Sequence, residues 1–219
     1  MKSKLFLLLL FFVCLFSLGI VNALTLPLLG KVIYLDSGHG GKDPGTVYKD
    51  IYEKDINLEI CKKLQTTLEN DGAIVYLTRY GDYDLSKNYT GSRKKSDLNN
   101  RAKIINESKA DIYISIHLNS INSSTWSGAQ VFYDDVNDKN YEFAKLMQKQ
   151  LKKDLKTNRE VKELTNMLLN RKVTVPGVLI EVGFLSNSND RYLLQQESYQ
   201  YKIVESISIG IVDFLEANY

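Results

Sequence analysis

Apolar runs of strand length alternate with stretches of helical period along almost the whole chain, and this alternation restricts the available folds more than any other feature. "KVIYLD" reads as a buried strand, and residues 54–70 then set Ile56, Ile60, Leu64 and Leu68 four apart, one stripe of a helix that stops near Asp71-Gly72. "AIVYLT", "DIYISIHL", "GAQVFYD", "NMLLN" and "GVLIEVGF" supply further strands. A helix is expected over "SDLNNRAKIINES", with Ser96 as its N-cap and Leu98, Ala102 and Ile105 facing inward. Two more are expected, one over 140–155 carrying Phe143, Met147 and Leu151, the other over about 202–215 carrying Ile203, Ile207 and Ile211. The polar segment Tyr80 to Lys95 reads as a surface loop. The pattern predicts a single α/β domain: a twisted, mostly parallel or mixed sheet of about six strands with helices on both faces. In such sheets ligands gather beyond the carboxyl ends of the strands.

A length of 219 residues suits one well-buried domain. The first 23 residues stand apart, with Lys2 and Lys4 followed by an apolar run from Leu5 to about Val21. That is the pattern of a signal peptide cleaved after Ala23 or of an N-terminal membrane anchor. The expected division is thus leader 1–23, short linker 24–30 and folded domain 31–219. Without Lys2 and Lys4 the domain holds 26 basic and 26 acidic residues, and that neutral balance argues against a nucleic-acid partner. Cys14 lies in the leader, so Cys61 has no partner for a disulfide within the domain and reads as a small core residue on a helix.

Titratable side chains collect at predicted strand ends. His39 follows the first strand inside "SGHGGKDPG", His117 ends "YISIH", and Glu181 ends "VLIE". Glu53 stands just before the first helix, separated from His39 by a short loop. A phosphate-binding loop would need glycine where Asp36 stands and Ser or Thr where Asp43 follows Gly41-Lys42, so that reading fails. Ser37 lies close to His39, but there is no Gly-x-Ser-x-Gly elbow to present it as a nucleophile. A metal reading fits better, because catalytic zinc often takes two histidines and a carboxylate and keeps a position open for water. The glycines let backbone approach an ion beside His39, and Asp36 is a candidate to orient an imidazole from behind, or else a turn cap.

Four segments then resemble the signatures of zinc-dependent N-acetylmuramoyl-L-alanine amidases: "LDSGHGGKDPG", "EKDINL", "SIHLNS" and "PGVLIEVGFLSN". The likeness runs from about Lys31 to Leu215 and includes "LTRYGD" and "DLNNRAKIIN". It is greatest to the spore-cortex members, the CwlD type, which share the short chain without wall-binding repeats. The resemblance implies one zinc ion per chain held by His39, Glu53 and His117, with Glu181 as the catalytic glutamate. It departs at Ser37, where the family usually has proline, which puts the stiffness of the loop in question.

The activity implied is hydrolysis of the amide between N-acetylmuramic acid and L-alanine in peptidoglycan, in the cortex the first step towards muramic-δ-lactam. The site alone also suits a zinc peptidase cutting within the stem peptide, and the fold alone a wall-binding module without catalysis. Asn119, Arg101 and Arg171 are candidate substrate contacts, with Arg79 and Ser120 behind them, although salt bridges are the readier explanation of the arginines. Trp126, the single tryptophan, either stacks on a sugar or plugs the core. The resemblance further implies peptidoglycan strands as partner, action between forespore and mother-cell membranes, membrane contact only through the leader, and an activating or zinc-retaining protein.

Overall fold

The computed structural model describes residues 26–87 and 89–218, so the leader expected over 1–23 lies outside the described residues. Among those described, no helix is long and apolar enough to cross a membrane.

The strands are β1 (Val32–Ser37), β2 (Val47–Tyr48), β3 (Ile51–Tyr52), β4 (Ile74–Leu77), β5 (Ile112–Asn119), β6 (Gln130–Tyr133), β7 (Lys162–Glu163) and β8 (Gly177–Phe184). The helices are α1 (Glu53–Asn70), α2 (Arg93–Glu107), α3 (Asn140–Leu155), α4 (Ser188–Leu194) and α5 (Glu197–Asn218). Six strands form one sheet in the order β4-β1-β5-β8-β6-β7, with β2 and β3 as a separate hairpin. The four strands β4, β1, β5 and β8 run parallel, and β6 turns antiparallel against β8. The expected single α/β domain with a mixed, mostly parallel sheet is what forms.

Both faces are covered, unequally. Ile33, Leu35, Ile112, Ile114, Val178 and Ile180 point into the large core under α1, α3 and α5, where Phe143 stacks on Phe214 at 4.2 Å between centroids. The alternate residues Tyr34 and Tyr113 point the other way and pack with Ala102 and Ile105 of α2. Cys61 is fully buried in the large core, as its place on the helix stripe predicted.

Four local readings are corrected. The N-cap of α2 is Ser92, whose hydroxyl accepts from Lys95 N at 3.3 Å, and Ser96 lies inside the helix. "NMLLN" is not a strand; it turns into a short 3-10 helix, Asn170–Lys172, and Arg171 N donates to Met167 O. The last helix starts five residues earlier than expected, at Glu197, after the short α4. The Tyr80–Lys95 segment, finally, is a surface loop only as far as Ser92, because Arg93–Lys95 already belong to α2. Asp82 accepts from Gly41 N at 2.8 Å and from Lys54 Nζ at 2.6 Å, which draws the segment over the glycine turn.

Candidate metal centre

Strand polarity brings the predicted residues to one end of the sheet. His117 of β5 and Glu181 of β8 are register partners, as are Asp36 of β1 and Ser115 of β5. Register partners point to the same face, so these side chains rise on the side that carries α2. Beyond β1 the chain enters the glycine turn with His39 itself at φ 63°, a left-handed conformation uncommon for a non-glycine residue. It then passes through the β2–β3 hairpin and starts α1 with Glu53, so the carboxylate sits at a helix N-terminus that favours negative charge.

Glu53 Oε1 lies 3.2 Å from His39 Nε2 and 3.0 Å from His117 Nδ1. The two imidazoles meet edge to face, 4.9 Å between centroids. One donor atom from each of His39, Glu53 and His117 falls within 4.8 Å of the others. Glu53 also accepts from Thr46 N and Leu118 N, at 2.8 and 3.0 Å. Burial alone would raise its pKa, but the hydrogen bonds and charges of His117 and His39 outweigh that and hold it far below the ordinary carboxylate range. For His39, burial opposes the charged form, yet Glu53 and Asp43 together raise its pKa.

The residue behind His39 is Asp43, with Oδ2 3.0 Å from His39 Nδ1. It orients the ring so that Nε2 faces Glu53, a carboxylate–imidazole pairing common behind metal ligands. Asp36, expected in that role, stands one layer deeper. Its oxygens accept from Arg101 (2.8 Å), Thr78 (2.9 Å) and Ser115 (2.6 Å). Sequence reading passed over Asp43, although its i+4 spacing from His39 in a tight turn was the available signal. It also passed over Asn57, one helical turn after Glu53, whose amide donates to Gly38 O at 3.3 Å.

Two buried guanidiniums grip the ligand loop. Arg79 donates to Ser37 O (3.0 Å), Gly38 O (3.0 Å) and Lys54 O (2.6 Å), while Arg101 donates to Ser37 O (2.7 Å) and His39 O (2.6 Å). Arg101 borders the cleft, but its donors are spent on this loop, Asp36 and Asp97. The structure does not bring Arg171 to the cleft and pairs it with Asp135 outside. Ser37 stands in place of proline without loosening the turn, because the arginines hold its carbonyl and its own N–H donates to Thr78 Oγ1 at 3.3 Å.

The cleft, about 450 Å³, is walled by His39, Glu53, His117, Asn119, Ser120 and Glu181 together with Met167 to Leu169. Glu181 Oε2 is buried and finds no hydrogen-bond partner among the described residues. Burial, and after it the charge of Glu53, raises the Glu181 pKa well above the ordinary value. Clustered imidazole and carboxylate donors beside an unpartnered buried carboxyl are what a divalent ion and its reacting water would require, so the residues fit zinc.

A family model described as N-acetylmuramoyl-L-alanine amidase matches residues 33–213. The chain belongs to that amidase family. The germination-specific N-acetylmuramoyl-L-alanine amidase of Bacillus subtilis is 46% identical over 194 residues, covering 87% of this chain and 82% of the relative. The CwlD amidase of Clostridioides difficile, solved in complex with the GerS lipoprotein, superposes with a TM-score of 0.82 at 41% identity, over 86% of this chain and all of that one. The catalytic domain of CwlV from Bacillus (Paenibacillus) polymyxa gives 0.74 at 31% identity, over 85% of this chain and 98% of that domain.

Close packing makes one amidase position a sensitive test. A Cβ on Gly38 would lie 2.3 to 2.7 Å from ring atoms of His117. Gly38→Ala is expected to push that imidazole out of line and weaken zinc binding by roughly 10–100-fold, as changes behind metal ligands do. Competition titration against a chromogenic chelator measures it, and an unchanged affinity would refute the packing argument.

Proposed function

We propose that this amidase is zinc-dependent and releases stem peptides from spore-cortex peptidoglycan by cutting between N-acetylmuramic acid and L-alanine, the first step towards muramic-δ-lactam. The observation that carries the reading is the convergence of His39, Glu53 and His117 donor atoms within 4.8 Å beside Glu181, whose Oε2 is buried and unpartnered. The likeness to the germination-specific relative supports the cortex as the place of action.

His39, Glu53 and His117 hold the ion, and Asp43 fixes the His39 ring. When bound, zinc supplies Lewis acidity, polarising the amide carbonyl and making water acidic enough to react near neutral pH. Glu181 accepts a proton from the attacking water and returns it to the departing amine nitrogen. Its raised pKa suits both halves of that transfer. Asn119, on the cleft wall, is placed to hydrogen-bond the substrate.

Residues 1–23 act as export signal or anchor, 24–30 as linker and 31–219 as the catalytic domain, which places the enzyme between the forespore and mother-cell membranes. The GerS complex of the CwlD relative supports an activating or zinc-retaining partner for this chain.

Metal analysis of protein from residue 24 onward, combined with muropeptide digestion, tests the reading. One zinc per chain is expected, with activity abolished by a chelator and restored by added zinc. Mass spectrometry should show intact glycan and free stem peptides. Shortened stems would favour a peptidase instead, and activity indifferent to the chelator would overturn the zinc assignment.

A further inference from the structure

A second cavity, about 510 Å³, opens at the same end of the sheet, where the loop after β5 meets the end of α3 and the start of α4. Trp126 forms part of its wall and is 50% exposed. The Arg159 guanidinium lies 4.3 Å from the indole centroid and 4.9 Å from the ring centroid of buried Phe184, in contact with both rings. Its Nε also donates to Ser127 O at 3.1 Å, tying the stack to the loop that carries the tryptophan. Each cation–π contact contributes on the order of 0.5–1 kcal/mol at an exposed site. Together they hold a large aromatic surface in place in water instead of letting it fold inward.

The stack is close to the chemistry. Gln130 is the register partner of Glu181, and Trp126 precedes Gln130 by four residues, so the Trp126 Cα is at most about 14 Å from that of Gln130 and about 20 Å from that of Glu181. A trough leads from the metal cleft towards this stack, ending at Ser124, two residues before Trp126. Thr46 and Ser120 line both cleft and trough, and Ser123, Asn122 and Ser186 continue the trough. Asn187 Nδ2 donates to Ser124 O at 2.7 Å and pins the loop that forms its rim. The trough lining carries hydroxyls, an amide and apolar groups but no charged side chain.

We infer that this trough binds the glycan strand of the polymer, with Trp126 as the stacking surface for an N-acetylhexosamine ring away from the scissile amide. Sugar rings present an apolar C–H face and a polar rim, which matches an exposed indole at the end of an uncharged, hydroxyl-bearing trough. Nucleic acid would require a row of free cations along this path, whereas no charged side chain lines the trough and the nearby Arg159 and Arg191 lie against Trp126 and Tyr48. The inference rests on the proposed action on peptidoglycan and gives that reaction a preference for long strands.

Trp126 is the single tryptophan of the chain, so its emission reports on this site alone. The zinc-loaded full chain, solubilised in detergent, is titrated with a β-1,4-linked N-acetylglucosamine tetramer and, separately, with free stem peptide. A saturable change in emission with the tetramer and none with the peptide is expected. In kinetic assays Trp126→Ala should raise KM on long glycan strands roughly tenfold, the scale of one aromatic contact. The rise on a disaccharide-peptide should be several-fold smaller, and Trp126→Phe should recover most of the loss. Emission that ignores the tetramer, or answers only the peptide, would overturn the inference, as would an unchanged KM on long strands in Trp126→Ala. If the wild-type chain shortened stem peptides instead of releasing them, the proposed cleavage site would fall, and the emission titration would still decide this inference.

Discussion

Glu181→Gln should bind one zinc per chain and turn over about 10³-fold more slowly, within the range that a positioned acid–base group contributes. The exchange keeps the shape of the side chain and removes its capacity to take a proton. It should leave thermal stability equal or higher, because the native carboxyl sits buried with Oε2 unpartnered and beside the charge of Glu53. The pH profile supplies a second readout. Glu181 must be ionised to act as base, and burial followed by the Glu53 charge raises its pKa. The kcat/KM of the native enzyme is therefore expected to fall on the acid side as Glu181 takes up its proton, at a pH that burial raises and a bound dication lowers. The residual rate of the variant should lack that fall. Steady-state kinetics across pH, with metal analysis of the same preparations, checks each point. A variant that kept even a tenth of native turnover would remove Glu181 from the chemistry.

Features encoded by local pattern were legible in the sequence. The buried strands β1, β5 and β8 are short apolar runs that only a two-sided parallel sheet accommodates, and helices α1 and α3 carry clear core stripes. His39, His117 and Glu181 follow from these, because parallel strands deliver what lies at their ends to one crevice. Features set by tertiary contact were not legible. Ser96 has the chemistry of an N-cap, as does Ser92, and the choice was made by the Tyr80–Lys95 segment closing over the glycine turn, with Ser96 Oγ turned to Lys87. "NMLLN" is apolar because Met167 to Leu169 face the cleft and α2, not because it pairs in the sheet. The two-residue hairpin of β2 and β3 is too short to show a period. Asp36 and Asp43 are both acids near His39. Only the direction of the chain through a left-handed histidine decides that Asp43 reaches the ring and Asp36 reaches Arg101.

Arg101→Met is expected to destabilise the fold by about 3–5 kcal/mol, the scale for stripping one partner from a buried ion pair. Arg101 and Asp36 are each 1% exposed and 2.8 Å apart, so the substitution would leave a carboxylate in the interior facing only hydroxyls. Burial works to raise the pKa of Asp36, and the charge of Arg101 together with the Ser115 hydrogen bond reverses that and holds it low. In the native protein, this depressed value makes a contribution to stability that is present above the unfolded pKa and fades as pH falls towards the folded one. Without Arg101 burial prevails and the folded pKa rises above the unfolded value. The folded variant then gains protons more readily than its unfolded chain, so the penalty is largest near neutral pH and shrinks as pH drops through the carboxylate range. Urea denaturation of both proteins at a series of pH values measures that narrowing gap, and near neutrality a fall in Tm of about 10 °C or more is expected. The same change also frees the carbonyls of Ser37 and His39 from the guanidinium. Zinc affinity should fall with stability, because the left-handed turn at His39 would lose one of the two cations gripping it. A gap independent of pH would assign the loss to packing alone and would separate Arg101 from the charge of Asp36.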